Sequence, residues 1–351
     1  MKSLIIGNIN KGSSYSDLES YREKRKVKGK KSHIWTSAIP FFVDSRLNHS
    51  LIIRALREIQ SETCVRFYEV KKISKMSGIQ YYPGDVCASH LGKLLAKKFQ
   101  KIFIAKTCET IGGIQHETLH ALGVDHEHNR IDRDHYVSIL YENIDKSSAE
   151  DFRISSLVDS NTFGLPYDYG SIMHYTMYAS SKNGKPTIVP KHYIYKNTIG
   201  HVRKLSFIDI KTINLLYCMN KCSFKIDCYK GSYQDSNFCF RCKCVDGFVG
   251  NDCNHFVMNI PSCGMSTHVA KRSPQVLKSY GIKNCYYHLM TRKYSKIIIK
   301  IFHIIIYPFQ RRYCWPEDSL EIKYWDDKTV TGARFCGIRT NIGLLYTHPV
   351  N

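Results

Sequence analysis

The sequence contains no hydrophobic run long enough to cross a lipid bilayer. Its most apolar stretch, Ile297–Phe309, holds 13 residues and is interrupted by Lys300 and His303, whereas a transmembrane helix needs about 20 apolar residues. We therefore predict a buried β-strand over this stretch. The first residues also lack the hydrophobic region of a secretory signal peptide, because their apolar run is limited to Leu4–Ile6.

Acidic residues are few relative to basic ones. The chain has 30 aspartate and glutamate residues against 51 lysine and arginine residues, and its formal net charge is +21. No part of the sequence interleaves aromatic and basic residues as nucleic-acid modules do, so we expect no nucleic-acid partner. A DNA-binding alternative would require tight, salt-sensitive affinity for DNA. The charge instead favours adhesion to an acidic matrix or another anionic surface.

Cysteine, in contrast, is abundant. The chain has 14 cysteines, an even number, and ten of them lie from Cys222 to Cys336. Such a density is typical of disulfide-bonded proteins of oxidising compartments. We therefore expect a secreted, extracellular protein, although no signal peptide is evident in the sequence.

Composition divides the chain into four zones. Residues 1–25 are polar and end in the basic run "REKR", which predicts a partial propeptide cleaved after Arg25; the alternative is a solvated charge run. Residues 26–218 have the pattern of a mixed α/β domain. Residues 219–254 hold six cysteines and little apolar surface, so disulfides must stabilise them. Residues 255–351 regain the alternation of β-strands.

Local patterns predict the elements of the second zone. Apolar residues at helical spacing indicate a helix over Ser50–Cys64, and alternation indicates a strand over Lys101–Cys108. A second helix begins within "IGGIQHETLHALG" and should end at Gly123, which suits a left-handed C-terminal position. A last helix is predicted over Ser206–Cys218, with Ser206 as its N-cap.

The stretch "HETLHALGVDH" contains a metal-binding pattern. On a helix, His116 and His120 are four residues apart, so both imidazoles leave one face about one turn apart, as two zinc ligands require. Glu117 is next to the first ligand, where its carboxylate can reach a metal-bound water. Gly123 allows the chain to turn back so that His126 supplies a third nitrogen. The alternative is an ordinary buried helix, which the glycine and third histidine at the required offsets argue against.

A methionine further along the chain belongs to the same pattern. Residues 167–175 read "YDYGSIMHY", and Met173 fits the tight turn that metzincin peptidases place beneath their zinc ion. Taken alone, a methionine between apolar residues indicates only a core position. Joined to the long zinc motif, it indicates a metzincin.

The two motifs together resemble the astacin family. "HETLHALGVDHEHNRIDRDHYV" followed by "SIMHY" is similar to the astacins, and the layout over most of the chain is similar to that of nematode astacins. The resemblance implies an α+β fold with a two-lobed metzincin catalytic domain. It also implies one catalytic Zn²⁺ per chain, bound by His116, His120 and His126, with Tyr175 as a further ligand of the resting metal.

The same resemblance implies a secreted zinc-dependent metalloendopeptidase. Zinc lowers the pKa of a bound water and polarises the scissile carbonyl. Glu117 is then the general base and acid, which takes a proton from water and delivers it to the leaving amine. Tyr175 matches the tyrosine that swings away from the metal and stabilises the tetrahedral intermediate. Glu127 matches the glutamate that anchors the N-terminal region of mature family members.

Covalent features follow from the resemblance as well. The family pattern implies the disulfides Cys64–Cys218 and Cys87–Cys108 in the catalytic domain. Asn48 begins the sequon Asn-His-Ser and predicts a glycosylation site; the alternative is an unmodified surface asparagine.

The third and fourth zones resemble two extracellular modules. Residues 219–254 are similar to an EGF-like module, and because six cysteines permit fifteen connectivities the pairing rests on resemblance alone. Residues 255–351 are similar to a CUB domain, a β-sandwich used for protein contacts, and we expect this sandwich to be incomplete. The implied disulfides are Cys222–Cys239, Cys228–Cys242 and Cys244–Cys253 in the first module, and Cys263–Cys285 and Cys314–Cys336 in the second.

The partners expected are extracellular protein substrates, such as cuticle or matrix proteins, with the two modules making protein contacts. A rival interpretation is a binding or matrix protein whose peptidase domain has lost activity. The intact set of metal-site residues argues against that alternative.

Overall fold

A computed structural model describes residues 2–9, 27–28, 33–155, 160–292, 294–307, 309 and 312–346, and only the backbone of residues 2–9, 27–28, 160 and 344–346. The predicted processing position, Arg25, lies outside these residues. The chain divides into two units. We call Arg22–Ser223 the central unit, and Met1–Tyr21 with Phe224–Asn351 the terminal unit.

The helices and strands are numbered in chain order. The α-helices are α1 (His49–Glu62), α2 (Ile111–Ala121) and α3 (Phe207–Tyr217). Short 3₁₀ helices are Glu127–Asn129, Arg133–His135, Tyr141–Asn143, Lys146–Phe152, Tyr193–Asn197 and Pro261–Cys263. The strands are β1 (Lys2–Ile9), β2 (Val27–Lys28), β3 (Ile39–Val43), β4 (Phe67–Glu69), β5 (Gly78–Pro83), β6 (Ala88–Ser89), β7 (Phe99–Ile104), β8 (Val137–Ile139), β9 (Ser160–Asn161), β10 (Ile188–Pro190), β11 (Tyr233–Gln234), β12 (Cys242–Lys243), β13 (Phe248–Val249), β14 (His255–Phe256), β15 (Thr267–Val269), β16 (Gln275–Ser279), β17 (His288–Met290), β18 (Lys296–Ile306), β19 (Leu320–Ile322), β20 (Ala333–Phe335) and β21 (Gly337–Tyr346).

A five-stranded sheet forms the framework of the central unit. Its order is β4-β3-β5-β7-β6. The four strands β4, β3, β5 and β7 are parallel, and β6 pairs antiparallel with β7 at the edge. Side chains from this sheet, α1 and α2 meet in one apolar core, and burial of each large aliphatic side chain contributes about 1.5–3 kcal/mol. The core includes Ile39, Phe41, Ile52, Leu56, Ile59, Ile79, Tyr81, Ile102, Ile104, Ile114 and Leu119.

The helix predicted over residues 50–64 is confirmed as α1. Its buried residues, Ile52, Ala55, Leu56 and Ile59, are spaced three and four apart and so form one face. The side chain of Asn48 caps the helix by accepting a hydrogen bond from the Leu51 amide. The strand predicted over 101–108 is β7, which begins two residues earlier and ends at residue 104.

The second predicted helix, α2, is buried on nearly all sides. A Cβ atom on Gly112 would overlap the carbonyl oxygen of Val202, and one on Gly113 would overlap that of Cys108. Glycine at both positions therefore lets two other segments pack directly against the helix. The predicted end of the helix is confirmed, because Gly123 has a φ of 97°.

The last predicted helix, α3, begins with a capping box. Ser206 accepts a hydrogen bond from the Asp209 amide, and the Asp209 carboxylate accepts one from the Ser206 amide. The N-cap predicted at Ser206 is confirmed.

The terminal unit is rich in β-structure. Its largest sheet has the order β16-β1-β18-β21, with antiparallel pairing throughout. The strand predicted in the most apolar stretch is confirmed as β18, in which Ile297, Ile299, Ile301 and Ile304 are buried. Strand β1, from the start of the chain, lies between β16 and β18.

Each of the two units contains disulfides. Six of the pairs that the resemblance implied are present: Cys64–Cys218, Cys87–Cys108, Cys228–Cys242, Cys244–Cys253, Cys263–Cys285 and Cys314–Cys336. Cys222 and Cys239 are also disulfide-bonded. Within the described residues, no helix combines the length and the apolar character that a bilayer crossing requires.

Candidate metal centre

Three histidines of the central unit converge on one point. His116 and His120 lie one turn apart on α2, and the turn at Gly123 returns the chain so that His126 faces them. One ligand atom from each imidazole lies within 4.8 Å of the others. In the described part of the chain, this is the one cluster of three or more potential metal-ligating side chains.

Hydrogen bonds fix the orientation of two of these rings. His116 Nδ1 is 2.8 Å from the carbonyl oxygen of Ile172, and His120 Nδ1 is 2.8 Å from that of Val124. Because a carbonyl oxygen only accepts, each Nδ1 carries the proton and each Nε2 presents its lone pair. Metal-binding histidines are commonly held in this way.

The environment keeps the imidazoles neutral. Burial, together with the neighbouring His120, lowers the pKa of His116 to about 3. Burial also lowers the pKa values of His120 and His126. Zinc requires neutral imidazole ligands, so the protonation state suits the metal.

The spacing of one pair of these nitrogens also fits zinc. His120 Nε2 lies 3.1 Å from His126 Nε2. Two nitrogens at about 2.0–2.1 Å from one tetrahedral zinc ion are about 3.3 Å apart. Three neutral imidazoles converging on one point, one buried and two half-buried, are the donor set of a catalytic zinc site, and the predicted ligands are those that the structure brings together.

Glu117 lies on the same helix and is only 5% exposed. Burial raises the pKa of its carboxyl group to about 7. Within the described part of the chain, its Oε2 atom is buried without a hydrogen-bond partner. A carboxylate in this condition can exchange a proton near neutral pH.

Tyr175 packs against the histidine cluster. Its ring centroid is 4.4 Å from that of His126 and 4.2 Å from that of His128, and Phe152 contacts it edge-on. Burial, followed by the nearby carboxylates of Asp151 and Glu117, raises the pKa of Tyr175. The phenol therefore keeps its proton and can donate a hydrogen bond. Sequence reasoning found Tyr175 but missed His128 and Phe152, which only the fold brings to it.

Asp209, which was not among the predicted site residues, connects the predicted methionine turn to α3 by hydrogen bonds. Met173 is fully buried. Asp209 accepts hydrogen bonds from the Ser171 hydroxyl at 2.6 Å and from the Ile172 amide at 2.9 Å. Since the carbonyl of Ile172 accepts from His116, the turn connects α3 to a zinc ligand. The pattern Ser-x-x-Asp from Ser206 could have indicated the cap, but not the bond to the turn.

Glu127 lies in a buried network of charges. Its Oε1 accepts hydrogen bonds from Arg130 Nη1 at 3.2 Å and from the Asp168 amide at 2.8 Å. Arg130 also forms a two-pronged pair with Asp132. The two residues Arg130 and Asp132, absent from the predicted site, were present in the stretch "HNRIDRD" that follows the zinc motif. The network fixes the segment that follows the third histidine.

Comparisons with known proteins agree with this geometry. A sequence model of the peptidase family described as Astacin matches residues 27–218. Zinc metalloproteinase nas-34 of Caenorhabditis elegans is 33% identical over 358 residues, covering 99% of this chain and 58% of that protein. Zinc metalloproteinase dpy-31 of Haemonchus contortus is 38% identical over 238 residues, covering 66% of this chain and 43% of that protein.

A solved structure is also similar. High choriolytic enzyme 1, a hatching enzyme zinc-protease from the medaka Oryzias latipes, is 35% identical, with a TM-score of 0.49. The match covers 55% of this chain and 98% of that one. The chain spans less than two thirds of the length of the nematode relatives described above.

Proposed function

Because the chain belongs to the astacin family of peptidases, we propose that it is a zinc-dependent endopeptidase that hydrolyses peptide bonds in extracellular proteins. The observation that carries the proposal is a triad of neutral imidazoles, one buried and two half-buried, with the buried Glu117 next to the first of them on α2. His116, His120 and His126 would hold the ion. Zinc bound there supplies a Lewis acid that polarises the scissile carbonyl and makes water more acidic.

Glu117 is assigned the proton transfer. Its carboxylate takes a proton from the attacking water as the carbon–oxygen bond forms. It then delivers that proton to the amide nitrogen as the carbon–nitrogen bond breaks. The pKa of about 7 supports both steps, since such a group is a base and an acid near neutral pH.

Tyr175 is assigned the stabilisation of the developing oxyanion. The raised pKa of its phenol keeps the hydroxyl proton available for donation. The family's further assignment, in which this tyrosine ligates the resting metal, is included in the proposal. The contact between the rings of Tyr175 and His126 supports its place at the centre.

Other assignments concern the rest of the chain. Glu127 is buried and forms an ion pair with Arg130. This supports the role of Glu127 as an anchor for the N-terminal region of the mature enzyme. Met173 is assigned the turn beneath the metal, and Arg25 the processing position. A glycan on Asn48 would attach to Nδ2, whereas the helix cap uses Oδ1, so both roles are compatible.

The domain organisation is also proposed. Residues 1–25 are the partial propeptide and residues 26–218 the two-lobed catalytic domain. Residues 219–254 are the EGF-like module and residues 255–351 the CUB domain. The short-range disulfides of the terminal unit support these two modules. Secretion is supported by the number of disulfides, and cuticle or matrix proteins are the proposed substrates.

A decisive experiment measures digestion of casein or gelatin by the folded, processed chain with and without a zinc chelator. We expect hydrolysis that the chelator abolishes and that added zinc restores. Glu117→Gln should reduce turnover by about 10²–10⁴-fold, while zinc content measured by atomic absorption stays at one ion per chain. Glu142→Gln, at an exposed position of the same unit, is the matched control and should retain full activity.

The rival function, a binding protein with an inactive peptidase domain, makes the opposite prediction. Correctly folded, zinc-loaded protein without chelator-sensitive cleavage of any of these substrates would favour that rival. Full activity of Glu117→Gln would remove the assigned mechanism.

A further inference from the structure

Within residues 33–155 of the central unit, basic charge is concentrated in one segment. Residues 70–108 contain eight lysines and a single acidic residue, Asp85. The preceding segment, residues 33–69, has four basic and four acidic residues, and the following one, residues 109–155, has four basic and ten acidic residues. The lysines are therefore segregated, and adjoining segments do not supply a positive background of the same density.

The sheet brings two lysine-bearing loops to one edge. Residues 70–77 lead into β5, and residues 90–98 lead into β7. These strands are adjacent and parallel, with Gly78 paired to Phe99, so both loops join the sheet at the edge where the strands begin. Adjacent strands are about 4.8 Å apart, and each residue spans at most about 3.6 Å. The Cα atoms of Lys75 and Lys98, the lysines nearest the two strands, are therefore within about 20 Å of each other.

Five lysines of these loops are exposed: Lys71, Lys72, Lys75, Lys97 and Lys98. We call them the lysine edge. As far as the structure describes the chain, none of the five forms an ion pair with a carboxylate. Their charges consequently face solvent and are available to a ligand.

The loop over residues 90–98 is held in place by the buried side chain of Gln100. Its amide nitrogen donates to the Gly92 carbonyl at 3.0 Å, and its oxygen accepts from the Leu94 amide at 2.9 Å. The Lys93 amide donates to the carbonyl of His33. A loop fixed in this way loses less conformational freedom on binding a ligand.

We propose that the lysine edge binds a sulfated polysaccharide. A linear chain with regularly repeated sulfate and carboxylate groups can contact ammonium groups on both loops at once. Lysine, a compact point charge on a flexible stem, suits such oxyanions without demanding a fixed geometry. Each contact releases counterions, so several lysines acting together give strong, salt-dependent binding. The proposal does not depend on the peptidase assignment.

Two other polyanions have similar charge and are less suited. Anionic lipids are concentrated in the cytoplasmic leaflet of cell membranes, whereas the disulfides of this chain indicate an oxidising compartment. Ile73, Met76 and Leu95 are exposed in the same loops, and because such side chains favour lipid surfaces, vesicle binding is one of the outcomes that the test below measures. Single-stranded nucleic acid is commonly bound by aromatic side chains on which its bases stack, and the two loops contain no phenylalanine, tyrosine or tryptophan.

The test measures binding of the full chain to heparin across a series of salt concentrations. The variant replaces all five lysines of the lysine edge by glutamine. The matched control replaces five exposed lysines of the same unit, Lys146, Lys182, Lys185, Lys191 and Lys204, and so changes the net charge equally. Circular dichroism and zinc content establish that both variants are folded.

We expect the lysine-edge variant to bind heparin at 0.15 M salt at least about 10-fold more weakly than the unmodified chain. The slope of the logarithm of the binding constant against the logarithm of the salt concentration should fall in magnitude by about 3–4. The control should change by less than about 2-fold. Equal losses in the two variants would overturn the proposal, since they would show dependence on net charge alone. Tighter binding of phosphatidylserine vesicles or duplex DNA than of heparin, or unchanged binding of desulfated heparin, would overturn it as well.

Discussion

A tyrosine hydroxyl can donate to an oxyanion only while it keeps its proton, and the surroundings of Tyr175 favour that state. The ring lies among His126, His128 and Phe152. Burial and the carboxylates nearby raise the pKa of the phenol. The position of Tyr175 could be predicted because "SIMHY" is a local motif. Its ring contacts could not, because they join segments that only the folded chain brings together.

Tyr175→Phe removes the hydroxyl group and keeps the ring packing. We expect kcat to fall by about 10²–10³-fold, as when one oxyanion donor is lost, with KM nearly unchanged. Steady-state kinetics on a fluorogenic peptide measure the two constants, and zinc analysis verifies that the metal site is filled. Tyr178→Phe, at an exposed position three residues on, is the control. A fall in zinc content that accounts for the whole loss would contradict oxyanion stabilisation and leave only the role of a metal ligand.

At the scale of elements, the start of α3 and the methionine turn are joined through one carboxylate. The Asp209 carboxylate closes the capping box of α3 and also holds Ser171 and Ile172. The Ile172 carbonyl then fixes the imidazole of His116. Residues far apart in sequence thus determine the orientation of a zinc ligand through successive hydrogen bonds.

Asp209→Asn replaces one acceptor oxygen with a donor that faces N–H or O–H groups. We expect the zinc dissociation constant to rise by about 10–100-fold, the range for disrupted support of metal ligands. Competition with a colorimetric chelator measures it. Ser206→Ala is the informative contrast, because it removes the cap hydroxyl at a cost of about 1 kcal/mol but leaves the bonds to the turn. Equal effects of the two variants on zinc affinity would contradict the coupling.

The elements show where sequence reasoning succeeds and where it stops. Helix α1, the end of α2 at Gly123 and the cap of α3 were predicted because each depends on neighbours within a few residues. The zinc ligands were predicted for the same reason, since a helix and one turn place them. The link from Asp209 to the turn depends on tertiary packing, and no local pattern contains it.

At the scale of the whole molecule, the pairing of strands that are far apart in sequence was not predicted. Residues 1–25 were predicted to be a partial propeptide, and no pattern in them indicated that β1 pairs with β16 and β18 of the terminal unit. A short apolar strand carries no information about its partners, because pairing depends on register across the whole chain. The disulfides are also long-range, but the family resemblance supplied their pairing.

Cys64–Cys218 joins residues 154 apart, from the end of α1 to the end of α3, whereas Cys87–Cys108 spans only 21. Loop-closure entropy predicts stabilisation of up to about 5 kcal/mol for the longer loop and about 3 kcal/mol for the shorter one. Paired Cys→Ala variants, which leave no unpaired thiol, should therefore destabilise the central unit in that order. Hydrogen exchange of α1 and β7 amides in the full chain, measured across a urea series, reports the free energy of unfolding of the central unit alone. The reverse order would show that native contacts near Cys87, rather than chain entropy, determine the contribution of these bridges.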